Sequence, residues 1–266
     1  MSKIKIAMGI EYNGNSYHGW QYQTSVPNIQ EKVEFAISTI ANHSVKVQCA
    51  GRTDAGVHST GQVIHFYTNS IRKDHSWIVG VNRYLPKDIS VVWKREVSQN
   101  FHARYSALSR RYRYVIYNSN YRSSIFYQGV NFFHKKLDIK KMKKAASHLI
   151  GKHDFTTFRA KNCQSSTPIR TILYLDVFSA NCLVVIDIIA NSFLYHMVRN
   201  IVGALLEVGI SNKSHIWIKD ILELKDRTLS TVVVKPNGLY LVKVEYDLHF
   251  DLPNIPIGPF FIQTFL

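Results

Sequence analysis

The segment Gly51-Arg52-Thr53-Asp54-Ala55-Gly56-Val57-His58 sets one carboxylate between an arginine and a histidine, with small residues on either side. Strand-like stretches flank it at 45–49 and 62–67, so the pattern predicts a glycine-bounded loop between two strands that presents Asp54 to a ligand. A cation such as Arg52 favours the ionised carboxylate and lowers its pKa. The glycines permit tight turns and close approach of a substrate backbone. One ionised carboxylate so placed suits a nucleophile; a metal centre would need several converging ligands. The same residues also fit an Asx turn beside a plain surface ion pair.

A second constellation is basic and aromatic. Between Phe101 and Arg122 lie arginines 104, 110, 111, 113 and 122 and tyrosines 105, 112, 114, 117 and 121, without one Asp or Glu. On a strand, Arg111 and Arg113 face one side while Tyr112 and Tyr114 face the other. Guanidinium groups bind phosphate and aromatic faces stack on bases, which suits RNA. Tyr114 and Tyr117 are expected in the core, because strand aromatics usually pack inside. A third motif is His196-Met197-Val198-Arg199-Asn200. Leu194, Met197, Val198, Ile201, Leu205 and Val208 form the apolar stripe of its helix, and Arg199 lies about 160° from the centre of that stripe. Pattern alone makes Arg199 a solvated arginine, with His196 on the same polar face.

These motifs need elements to hold them. Residues 3–12 alternate as a half-buried strand. Asn28 caps a helix with Glu31 in capping-box position, and Ile29, Val33, Ala36, Ile37 and Ile40 share one face. A shorter helix over 74–84 stops before Leu85-Pro86, and a strand over 89–93 follows. The second half repeats the order: a strand at 112–117, a helix capped by Asp138, strands at 172–178 and 182–189, a helix over 194–208 and a final strand at 239–246. The reading is α+β, with two ferredoxin-like (RRM-like) halves, 1–105 and 106–266, whose largely antiparallel sheets form a continuous core. No Pro/Gly linker marks the boundary.

The chain has 266 residues, 46% of them hydrophobic, and 33 basic against 18 acidic side chains give a net charge of +15. That excess favours a polyanionic partner. Cys49, Cys163 and Cys182 form no CxxC pair, which argues against a zinc site or a disulfide framework and for a reducing cytosol. The amino terminus lacks a signal-peptide pattern, and the longest apolar run, Leu183-Val184-Val185-Ile186, stops at Asp187, too short for a membrane span. P-loop and GxGxxG motifs are absent.

The octapeptide, Arg110-Arg111-Tyr112-Arg113-Tyr114 preceded by Phe101-His102-Ala103-Arg104, and His196-Met197-Val198-Arg199-Asn200 resemble the TruA family of tRNA pseudouridine synthases. Tyr17-His18-Gly19-Trp20-Gln21, the segment from Asp154 to Arg159, and Gly238-Leu239-Tyr240-Leu241 fit it more softly. The resemblance implies isomerisation of uridine to pseudouridine at positions 38, 39 and 40 of the anticodon arm of tRNA, by a cytoplasmic homodimer without metal or other cofactor. It implies Asp54 as the catalytic residue with Arg199 set against it. Tyr112 would meet the uracil, Leu239 would line its pocket, Arg52 or a neighbouring basic group would hold the space of the departed base, and Arg110, Arg111 and His58 would contribute substrate contacts. Asp54 can then attack sugar or base, or remove a ribose proton. Trp20 fits an RNA-facing loop and a buried core position equally. The lysine pairs 135/136, 140/141 and 143/144 read as a solvated helical face or a tRNA contact, and the apolar tail 255–266 as an interface seal or the last part of the fold.

Overall fold

The computed structural model describes residues 3–229 and 233–265 and divides the chain into two compact units, 1–108 with 240–266, and 109–239. The final strand and tail, read in sequence order as part of the C-terminal half, pack with the first unit.

The first unit begins with β1 (Ile4–Tyr12), followed by α1 (Ile29–Ala41), β2 (Gln48–Cys49), β3 (His58–Thr68), α2 (Asp74–Tyr84) and β4 (Ile89–Val97). The Asn28 side chain accepts the N–H of Glu31 and so caps α1, as the sequence predicts. Asn42 ends the helix at φ 57°, a left-handed conformation that asparagine tolerates. β1 pairs antiparallel with β3 on one side and with β4 on the other, and β2 pairs with β3. Ile6, Met8 and Ile10 of β1 pack with Val33 and Ile37 of α1 and with Trp77 and Val81 of α2 in one buried cluster.

In this unit two strands are longer than their patterns suggest. β4 continues through Lys94-Arg95-Glu96 to Val97 because it lies at the edge of this unit's sheet, where charges are tolerated and hide the alternation. β3 starts at His58, inside the octapeptide, although its first residues are polar. The predicted strand at 45–49 shrinks to Gln48 and Cys49.

The second unit contains β5 (Ala107–Asn118), β6 (Asn131–Phe133), α3 (Ile139–Ser147), β7 (Gly151–Asp154), β8 (Ile169–Ala180), β9 (Leu183–Ala190), α4 (Met197–Gly209) and α5 (Trp217–Leu224). β5, β9, β8 and β7 pair antiparallel in that order, and β6 lies parallel to β5. β8 and β9 form a hairpin whose turn is Asn181-Cys182, with Asn181 at φ 52°. Asp138 caps α3 through the N–H of Lys141. Met142, Ala145 and Ala146 are buried beneath α3, while Lys140, Lys141, Lys143 and Lys144 stay exposed. The segment after Asp154 forms a single 3-10 turn, Thr156–Phe158.

α4 begins at Met197, three residues later than expected, because His196 takes φ 59° and breaks the helical path. Eleven of its residues are buried, so it is enclosed on nearly every side instead of presenting one polar face. β10 (Leu239–Tyr246) returns to the first unit, where Tyr240 and Leu241 run parallel to His58 and Ser59 of β3. The tail follows it: Ile262 is buried, and Gly258 sits against the Thr60 side chain. Through residue 262 the tail therefore completes the fold of the first unit; Leu266 lies outside the described residues. No helix among the described residues is long and apolar enough to cross a membrane.

Candidate functional site

Asp54 sits in a loop whose backbone is gripped from two sides. Val57 N–H donates to the Asp54 carbonyl at 3.1 Å, and Gly56 between them has φ 76°, the positive value that the third position of a type II turn requires. From β1, the Tyr12 hydroxyl bonds the Thr53 hydroxyl at 2.8 Å. From β3, the Gln62 amide donates to the Gly51 carbonyl at 2.6 Å. A β-bulge between Ile10 and Tyr12 sets Tyr12 opposite Ser59, at the octapeptide's end of β3.

The segment from Tyr17 to Trp20 closes the other side. Trp20 N–H donates to the Thr53 carbonyl at 3.0 Å, and Gly56 N–H donates to the Tyr17 carbonyl at 3.3 Å. Trp20 is 1% exposed, so its indole belongs to the core; His18 is the exposed member of this loop. The Tyr17 hydroxyl donates to Asp88 at 2.7 Å, and burial together with that carboxylate pushes the phenol's pKa up. Gly19 has φ +95°, and a Cβ there would lie 2.7 Å from the Thr53 carbonyl oxygen and 3.1 Å from the Asp54 carbonyl carbon. Gly19→Ala is therefore expected to cost about 1–3 kcal/mol of stability. By shifting Asp54 it should also lower kcat/KM about a hundredfold. Thermal unfolding and single-turnover assays check both effects, and wild-type kinetics in this variant would refute the clamp.

Around Asp54 the two flanking residues differ. Asp54 is half-buried and Arg52 exposed, whereas His58 is 2% exposed. His58 Nδ1 accepts the Gly14 N–H at 3.1 Å, and its ring stacks on Tyr240 at 4.7 Å and 23°. Those contacts give His58 a structural task at the base of the loop.

In the second unit, Tyr112 and Arg199 belong to β5 and α4. Tyr112 lies opposite Ile188 of β9, buried, with its ring edge-on to Phe193 at 5.1 Å. Arg199 is half-buried: its Nε donates to the Val234 carbonyl at 2.8 Å and its Nη1 lies 3.2 Å from His196 Nε2. Tyr114 is fully buried, as expected, and its hydroxyl donates to the Lys235 carbonyl at 2.7 Å. Burial drives the Tyr114 phenol's pKa strongly up, against a smaller downward pull from Arg199. β5, α4 and the segment leading to the buried Leu239 thus converge. Asn200 fixes α4 from the next position by donating to the Phe158 carbonyl at 2.8 Å.

The arginines of β5 have separate fates. Arg110 donates to the Asn191 carbonyl at 3.1 Å and is half-buried. Arg111 and Arg113 share one face, as the alternation predicts, but they converge on Asp187 of β9. Arg111 forms a two-point contact at 2.8 and 2.6 Å, and Arg113 Nε adds a third bond at 2.9 Å. Asp187 is 1% exposed. Arg111, read from sequence as a substrate contact, is thus held by a buried carboxylate. The signal was present: a lone Asp inside Leu183-Val184-Val185-Ile186-Asp187-Ile188-Ile189 must find a cation if it is buried. Tyr12 and Gln62, which hold the loop, had no such signal, because their role depends on strand register, whereas Gly19 lies in the segment 17–21 that fits the family. Among the described residues, no three His, Cys, Asp or Glu side chains gather closely enough to hold a metal ion.

Comparison with known proteins follows this geometry. The tRNA pseudouridine synthase family matches residues 8–106 and 145–247, which include the Asp54 loop and α4. A protein of Buchnera aphidicola subsp. Baizongia pistaciae called tRNA pseudouridine synthase A is 67% identical over 259 residues, covering 97% of this chain and 98% of that protein. A Klebsiella pneumoniae protein of the same name is 54% identical over 258 residues, covering 97% and 96%. A solved H/ACA RNP bound to a substrate RNA aligns over 76% of this chain and 44% of its own, at 11% identity and a TM-score of 0.35, too distant to bear on the fold.

Proposed function

The chain belongs to the tRNA pseudouridine synthase family and isomerises uridine to pseudouridine in tRNA, and from that premise we propose that Asp54 is its catalytic carboxylate and the anticodon arm, at positions 38, 39 and 40, its target. The observation that carries this reading is the Asp54 loop: a half-buried carboxylate on a backbone held by Tyr12, Gln62, Tyr17 and Trp20. A group that must meet one atom of a displaced base needs such a fixed mount.

The reaction breaks the bond between uracil N1 and ribose C1′, turns the base, and joins C5 to C1′; the C5 proton leaves and N1 gains one. The target nucleotide must first leave its stack. Asp54 then supplies the anionic oxygen, as nucleophile or as base. Arg199, which the resemblance sets against that carboxylate, would serve as its counter-charge. Tyr112 meets the uracil face and Leu239 supplies an apolar wall. The exposed Arg52 holds the vacated space, and Arg110 contacts phosphate. Arg111 contributes indirectly, by fixing β5 through Asp187, and His58 by fixing the end of the loop. The resemblance also supports a cytoplasmic homodimer.

The test is tritium release from tRNAs labelled at uracil C5 and carrying uridine only at 38, 39 or 40 in the anticodon arm. Release is expected from each, and none from a control tRNA with uridine only elsewhere. Release confined to the control would move the target out of the anticodon arm.

A further inference from the structure

We propose that the turn 102–106 is a stacking platform for an unpaired base of the tRNA substrate, with the Tyr105 ring as its surface and Arg104 as its cation. It rests on the tRNA substrate established above. The turn is fixed from within by histidines. His102 Nδ1 accepts the N–H groups of both Arg104 and Tyr105, at 3.1 and 3.2 Å. Ser106 closes the turn by donating to the His102 carbonyl at 2.9 Å. Ala103 at its base is fully buried. The Ala103 N–H donates to His65 Nδ1 at 3.1 Å, and its carbonyl accepts the Tyr246 hydroxyl at 2.6 Å. Just before the turn, Lys5 Nζ donates to the Phe101 carbonyl at 2.7 Å.

These imidazoles must be neutral to accept at Nδ1. Burial, then His102 and Lys5, bring His65 down to about 4, and burial with Lys5 lowers His102 as well. The inward polar groups of the turn are therefore satisfied at neutral pH, and what it presents outward is Arg104 and Tyr105.

Tyr105 is 75% exposed, yet its ring is held, 4.3 Å from the His102 ring and 5.5 Å from the Arg104 guanidinium. An aromatic ring fixed in advance and left open to water gains by stacking on a planar partner, since little ordering remains to be done on binding. A nucleobase fits because every base has a π-face and the surroundings are cationic. Arg104 and Arg52 both act electrostatically on the half-buried Cys49 thiol, so the turn and the Asp54 loop bring positive charge to the same residue of the first unit. No Asp or Glu occurs between Phe101 and Arg122. The base in question is one near the displaced uridine.

Tyr105→Ala is expected to raise the Kd for unmodified tRNA about 5- to 150-fold, while Tyr105→Phe, which keeps the ring, stays within about twofold of wild type. 2-Aminopurine placed at successive unpaired positions of the anticodon loop should be quenched at one position by wild type and Tyr105→Phe, and not by Tyr105→Ala. Thermal unfolding of both variants should match wild type. Wild-type affinity in Tyr105→Ala, equal losses in both variants, or a loss that tracks a lowered unfolding midpoint would overturn the platform. Kd is read on unreacted tRNA, so absent tritium release from the anticodon-arm substrates would sink the target assignment above and leave this outcome legible.

Discussion

Asp54→Asn should bind tRNA at least as tightly as the wild type and turn it over roughly ten thousandfold more slowly. The substitution is isosteric, and the loop backbone is held by bonds from Tyr12, Gln62, Tyr17 and Trp20 to neighbouring residues. What disappears is the anionic oxygen that the proposed role of Asp54 requires, whether it attacks or accepts a proton. Removing a negative charge beside a polyanion also lifts a repulsion, so affinity should hold or rise slightly, most visibly at low salt. Tritium release in single-turnover conditions measures the first effect and filter binding the second. Turnover within tenfold of wild type would place the chemistry elsewhere; lost affinity would make Asp54 a binding residue.

The largest loss of stability is expected from Asp187→Ala. Its two oxygens accept three bonds from Arg111 and Arg113, and Arg113 is nearly as buried as Asp187 itself. Deleting the carboxylate removes the one anion that all three of these bonds share in a buried site, a change that costs about 3–5 kcal/mol. For a chain of this size that corresponds to a fall in Tm of about 10 °C. Breaking the exposed pair Lys219–Glu223, 3.8 Å apart, should cost less than about 1 kcal/mol. Differential scanning calorimetry of the two variants makes the comparison. A Tm for Asp187→Ala within 2–3 °C of wild type, on the order of the change expected for the surface pair, would show that the triad contributes little. Arg111→Gln extends the test: a fall in Tm larger than its effect on tRNA affinity would confirm that Arg111 serves the fold of β5.

Local patterns were legible where a residue's neighbours in sequence are also its neighbours in space. The Asn28 and Asp138 caps, the bounds of α2, the alternation that placed Tyr114 inside, and the shared face of Arg111 and Arg113 all belong to this kind. The short strands β6 and β7 and the helix α5 carried weaker signals, although α5 buries Ile218, Ile221 and Leu222 along one face. Those elements are two turns of helix or a few strand residues, too brief for periodicity to separate them from loops.

By itself the sequence determined the family, the reaction it implies and the alternation of β5, because each is written in contiguous residues. Tertiary structure alone decided what those residues touch. His58 begins a strand because Tyr240, almost two hundred positions later, runs alongside it. Trp20 is core because its N–H and the Tyr17 carbonyl close over the Asp54 loop. Arg111 and Arg113 meet Asp187 because the antiparallel register of β5 and β9 sets that carboxylate opposite Arg113 and diagonal to Arg111. Each outcome rests on contact between distant segments, and a one-residue slip in register would turn the strand side chains His58, Arg111 and Arg113 to the other face.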